Sequence, residues 1–396
     1  MRVLILVIFM LVSIFAGEPV ALDKMYSKSQ KCIACHRHMV EDWKDSWHAK
    51  SHFKNDEYYR KTLKYMGRKM RSKNLETLKV ECATCHNPRI SITSTTIDDE
   101  IASVMGLKSR VSEAVNSSDL NEGINCAVCH NIDKIHDKKP QSVRGVNRIE
   151  WMEAGVMSGP YDDAKSPYHK TYERDFMSED PNKLCFVCHA NKRTTEGIVF
   201  SNMEEEYKKV KDAKLCVDCH MSEREMGVAS NLSIENGKPK QRLIRRHRFE
   251  GAHTARMIKN SLKLSLKRKG DKLKIILKNP NPHNIPSGYG GREVVIDVDY
   301  FGMKKRPRQS LSLTSHYSNK RGKASVPHLF VESTKEMSVP AMGSKTFSVD
   351  IPKGARKVNV SIWYKLVNDE LVKLLDLKEK NWSKKNLIVE KKIALD

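Results

Sequence analysis

Two unlike halves are predicted from this sequence: a mainly α-helical and loop region over residues 17–250, then an antiparallel β-sandwich over residues 251–396. Three observations carry that division. All ten cysteines lie between Cys32 and Cys219, grouped in short motifs. Only 39% of residues are apolar and 30% are charged, which is polar for the core that 396 residues must bury. Beyond about Thr254 cysteine disappears and the apolar residues fall into strand-like alternation.

Ahead of both halves, residues 1–16 read MRVLILVIFMLVSIFA: one Arg, then an apolar run from Val3 to Ala16. That is the pattern of a signal peptide cleaved near Ala16. The run is shorter than the about 20 residues a membrane span needs, and no second run of spanning length follows. The expected location is the periplasm, where thiols end as disulfides or as cofactor attachments.

The cysteines form five copies of one pattern with none left over: Cys32-Ile-Ala-Cys35-His36, Cys82-Ala-Thr-Cys85-His86, Cys126-Ala-Val-Cys129-His130, Cys185-Phe-Val-Cys188-His189 and Cys216-Val-Asp-Cys219-His220. Two thiols three positions apart add to the two vinyl groups of one haem, and the adjacent His turns under the iron as its proximal ligand. Zinc ribbons use paired Cys-x-x-Cys units without requiring His after each, and a thioredoxin-like site does not come in fives. Five covalently attached c-type haems are therefore expected, with His36, His86, His130, His189 and His220 as proximal ligands. Five stacked apolar plates would also supply the core that the composition lacks.

Ten histidines remain, and neutral imidazole is a common sixth ligand to haem iron. Asp42 to His52 is predicted to be helical, with His48 and His52 one turn apart on one face. The segment Trp43, Ser46, His48 after the first motif resembles the multihaem cytochromes related to cytochrome c554 and hydroxylamine oxidoreductase. The resemblance continues at Gly123-Ile-Asn-Cys126 through His130 to His136, and at Ser166-Pro-Tyr-His169. It implies His48, His136 and His169 as distal ligands. His247, in His247-Arg-Phe-Glu-Gly251, resembles a further family segment, with His253 as its rival and a solvated basic linker as the other reading of Arg245, Arg246 and Arg248. His283, in Asn279-Pro-Asn-Pro-His283-Asn-Ile-Pro-Ser-Gly288, resembles a family loop and is a fifth candidate, or else a turn residue. His38, His316 and His328 are expected to be surface or packing residues.

In the second half, Ser261–Leu266, Lys272–Leu277, Glu293–Tyr300, Lys345–Ile351 and Lys357–Tyr364 alternate apolar and polar residues between Gly and Pro turns, and a short helix is expected near Asn368–Leu377.

The formal net charge of +23 would fall to about a dozen after about ten haem propionates ionise. For an exported chain this points to acidic or membrane-associated redox partners and not to nucleic acid. The function expected is electron transfer between a quinol-linked or membrane donor and a terminal reductase or acceptor. The alternative is oxidoreduction of a small nitrogen or sulfur compound at one haem with an open distal site.

Overall fold

A Cys-x-x-Cys-His motif wound into one helical turn sets its two thiols on one side, and in this computed structural model helical turns carry all five motifs. The structure describes residues 28–91, 105, 107, 113, 116–137, 143–153, 155–333 and 337–395, so the expected signal peptide lies outside the described residues. His86 closes the helix Leu75–His86, His189 closes Asn182–His189, and Cys126–His130 and Cys216–His220 are single short helices. The first motif spans the end of a 3-10 turn, Ser29–Cys32, and His36 caps the helix Arg37–Lys44. Polar side chains start these helices: the Asn74 and Asn125 carboxamides accept from Thr77 and Val128 N–H, and Asp218 reaches back to Leu215 N–H.

The helix expected over Asp42 to His52 is broken. Asp45 ends one helix at Lys44, and the Ser46 hydroxyl accepts from Ala49 N–H to start a new turn, Trp47–Lys50. His48 lies in that turn, whereas His52 falls past its end, so the two do not share a helix face. A serine inside an apparently periodic stretch competes with the helix by offering a cap, which the periodicity alone does not reveal.

The basic segment Lys238–Arg248, whose Arg245, Arg246 and Arg248 could also read as a solvated linker, is largely tied down. Gln241–Ile244 pairs with Glu225–Val228, Arg245 meets Asp218, and both Arg246 and Arg248 converge on Asp42. Burial pushes the Asp42 carboxyl up, but these guanidinium groups and the His247 N–H overcome that and hold it below the usual carboxylate range. The carboxylates that neutralise this run come from distant parts of the sequence, so the run alone reads as solvated.

The C-terminal half contains seven main strands: β1 Lys263–Lys269, β2 Lys272–Lys278, β3 Glu293–Phe301, β4 Arg308–Leu313, β5 Ser344–Asp350, β6 Lys357–Lys365 and β7 Asn386–Ala394. They form two antiparallel sheets, ordered β1-β2-β5 and β4-β3-β6-β7. Gly270, at φ +62°, makes the β1–β2 turn. Leu273, Ile275 and Leu277 of one sheet and Val294, Ile296, Val360 and Ile362 of the other are fully buried in one core, each contributing about 1.5–3 kcal/mol of burial. Side-chain hydrogen bonds also tie polar groups of β3 and β6: Asp297 accepts from Ser310 and Lys385, and Glu390 accepts from Asn359 and Ser361.

That core continues into the N-terminal half. The helix Glu57–Lys69 inserts Tyr58, Leu63, Tyr65 and Met66, and Leu75–His86 adds Leu78. The Glu57 carboxylate accepts from the backbone N–H groups of Lys378 and Glu379, both at 2.9 Å. The β domain is thereby fastened to the helix that precedes the second motif.

Candidate functional site

All fifteen cysteines and histidines of the five motifs line one connected cavity of about 1410 Å³. Within it the thiols of separate motifs lie close enough to influence one another: Cys32 with Cys126, Cys85 with Cys188, and Cys185 with Cys216. Cys129 also faces Cys185 and Cys188 closely enough to interact electrostatically. The motifs are therefore not a string in chain order. The first lies by the third, and the fourth is the meeting point of the second, third and fifth.

Four motif histidines face a second imidazole at nearly one distance. Ring centroids are 6.3 Å apart for His36 and His169, 6.2 Å for His130 and His247, 6.3 Å for His189 and His48, and 6.4 Å for His220 and His283. The rings are too far apart to stack on each other. A metal–imidazole bond is about 2.0–2.1 Å, so one first-row metal midway between two ring nitrogens separates the centroids by about 6 Å. Among the described residues no group of three or more His, Cys, Asp or Glu converges as a metal site. Each pair thus offers two donors, the number a porphyrin leaves for protein to supply. The residues present fit haem.

Hydrogen bonds select the nitrogen that faces the gap. The Nδ1 atoms of His36, His130, His247 and His283 lie 2.7, 2.8, 3.0 and 2.9 Å from the carbonyls of Ala229, Ser158, Arg245 and Asn284, and His220 Nδ1 meets the Glu250 carbonyl. A ring donating through Nδ1 keeps its Nε2 lone pair for a metal. Burial is the first cause that disfavours the protonated form of seven cavity rings: it holds His48, His86 and His247 at about 4, and pushes His130, His169, His189 and His283 down as well.

The supports of the facing rings come from far along the chain. Asp42 accepts from His247 N–H while pairing with Arg246 and Arg248, which fixes the segment carrying that ring. Glu206 accepts from Asn284 N–H and the Ser287 hydroxyl, holding the Pro-rich loop of His283 against the helical half. His283, expected as either a ligand or a turn residue, is thus presented to the cavity by the β domain.

Two expected candidates are not brought to a motif histidine. His136 lies outside the cavity lining, at the end of the strand Ile132–Ile135, and its Nε2 is 2.6 Å from Glu150 Oε1. A carboxylate on the directly paired strand, Ile149–Trp151, occupies the atom a metal would need. His253 lines the cavity but stacks on Trp47 at 3.7 Å and packs against Trp382. Burial first, then the charges of Arg292 and Lys50, hold it at about 2. One cavity histidine was not singled out by sequence reasoning: His328, which sits in a lone Val-Pro-His-Leu stretch with no motif around it. His38 is exposed, and His316 pairs with Glu370.

The family described as cytochrome c554 and c-prime matches residues 31–131, which hold the first three motifs. No curated protein matches the sequence. Among solved structures, a penta-heme cytochrome c552 from Thermochromatium tepidum shares the fold with a TM-score of 0.68 at 16% identity, over 93% of this chain and 99% of that one. The E. coli curli protein CsgC overlaps 26% of this chain and 83% of its own at 14% identity, with a TM-score of 0.16. Three attachment motifs lie inside the family match, two more of the same form line the same cavity, and the fold is shared along nearly the whole chain with a penta-heme cytochrome, so the chain is similar to multihaem c-type cytochromes.

Proposed function

We infer that the chain binds five covalent haems and works as an exported, periplasmic electron carrier between a quinol-linked or membrane donor and a terminal reductase or acceptor. The observation that carries this reading is the set of four imidazole pairs at 6.2–6.4 Å, because two in-line nitrogens close an iron to substrates and suit it to electron exchange. Bound haem supplies the one-electron iron couple. The protein supplies five thiol pairs for attachment, His36, His86, His130, His189 and His220 as proximal ligands, and His169, His247, His48 and His283 as distal ligands to the first, third, fourth and fifth irons. Residues 17–250 form the haem domain in this reading, and residues 251–396 the β domain that lends it His283.

The branched order of the motifs supports a carrier with more than one port, since the fourth attachment point borders three others. The basic surface supports acidic partners. The alternative, a small nitrogen or sulfur compound reacting at one open iron, would fall to the iron of His86, whose ring has no second imidazole at the common spacing.

Stopped-flow oxidation of the fully reduced holoprotein tests the reading. An acidic one-electron acceptor is expected to withdraw five equivalents in fast phases that slow as ionic strength rises. A haem fraction that exchanges no electrons with such an acceptor, but turns over nitrite or hydroxylamine, would contradict it.

A further inference from the structure

His86 is the odd member of the five. Its ring lies against Tyr59, with centroids 4.1 Å apart and planes 10° from parallel, so one face is covered by an aromatic wall and no second imidazole stands at 6.2–6.4 Å. Six histidines other than the motif ones line the cavity. Four are already matched with His36, His130, His189 and His220. Of the remaining two, His253 is held in the Trp47–Trp382 aromatic stack, and its charged neighbours are Arg292 and Lys50. His328 is different in each respect.

His328 is delivered by the β-domain segment between the short strands Tyr317–Ser318 and Glu332–Ser333. Thr195 N–H donates to its backbone carbonyl at 3.2 Å, which pins that segment to the helical half beyond the fourth motif. Its ring is wedged edge-on to Phe200 at 5.1 Å and beside Tyr289 at 5.8 Å, so its direction is set by packing. Its Nδ1 is buried without a hydrogen-bond partner, a condition shared with His48, whose ring faces His189. Burial and then the charge of His86 are the first two influences that disfavour its protonated form, followed by Lys192 and Arg144.

We propose that His328 is the sixth ligand of the iron carried by the Cys82–Cys85–His86 motif, so that a loop of the C-terminal half closes the second haem and leaves no open iron in the resting protein. The assignment rests on the haem reading of the five motifs and deepens it. Lys192 is the competing donor. It is buried near His86 and Cys85, but its amine donates to the Gly288 carbonyl at 2.6 Å.

Electron paramagnetic resonance and room-temperature magnetic circular dichroism of the ferric holoprotein test the assignment. The unaltered protein is expected to be low-spin at all five irons. His328→Ala is expected to turn one haem in five high-spin, and added imidazole to restore it. His328→Met is expected to keep that haem low-spin with a raised potential, because Met/His ligation raises it. Lys192→Ala is expected to change none of these signals. A high-spin haem in the unaltered protein overturns the proposal without any variant, as does conversion by Lys192→Ala in place of His328→Ala. The two readings fail differently: one open iron in a protein that still yields five electrons to an acceptor removes the ligand assignment alone, whereas five closed irons that yield none remove the carrier reading.

Discussion

Chain made without haem attachment, whether by withholding the maturation machinery or by replacing all ten cysteines with alanine, is expected to lose the cooperative fold of its helical half and to retain the β domain. The helices around the cavity are short: Cys126–His130 and Cys216–His220 have five residues each, far below the about 12–15 at which an isolated helix becomes even marginal. The apolar cluster of this half away from the sheets consists of Ile132, Val146, Ile149, Phe176 and Val187, which at about 1.5–3 kcal/mol each falls far short of the ordering entropy of some two hundred residues. By contrast, β3 and β6 are buried along most of their length in the larger core, most of whose residues come from the two sheets. Hydrogen exchange followed by mass spectrometry is the measurement. Amides of residues 28–250 should exchange nearly as in an unfolded chain while those of β3 and β6 stay protected. Protection throughout the apo chain equal to that of the holoprotein would show that side chains alone form the core.

Replacing His48 by alanine is expected to have the largest effect of any single distal substitution. His48 faces His189, the histidine of the fourth motif, where the thiols of the second, third and fifth converge. Its ring also packs on Phe249 at 4.4 Å, and Gly123 and Ile124 N–H donate to the carbonyls of Ala49 and His48. A β-carbon on Gly123 would stand 2.2 Å from the His48 carbonyl oxygen, so the turn and its neighbour are closely fitted. The variant should show one haem in five converted to a high-spin form that takes up cyanide, and a stability loss of about 2–4 kcal/mol, comparable to truncating a buried aromatic side chain. Ferric spectra and thermal unfolding measure both. Unchanged spin states would remove His48 from the ligand set.

What was legible beforehand divides along physical lines. Covalent chemistry is local, so the five motifs and the thiols and histidines within them stood in the sequence as five-residue patterns. Alternation is local too: β2, β3, β5 and β6 lie within a residue or so of the expected spans, and Asp369–Leu375 falls inside the expected helix. β4 and β7 were not anticipated. Arg308–Leu313 carries Ser310 and Ser312, which donate to Asp297 and Glu293, and Asn386–Ala394 carries Glu390 and two lysines, so neither reads as half-buried until its partners are known. The facing histidines were only partly legible because their roles depend on distant groups. His169, His48 and His247 sit near recognisable segments. His136 sits near one as well, yet Glu150 claims it. His328 has no surrounding signal at all, since it gains its place from Phe200, Tyr289 and Thr195.

Intact mass of the exported, mature protein tests the central claim most directly. Five haem adducts per chain, each mapping by peptide fragmentation to one Cys-x-x-Cys-His motif, are predicted. Fewer than five adducts, or unmodified thiols that bind zinc, would contradict it.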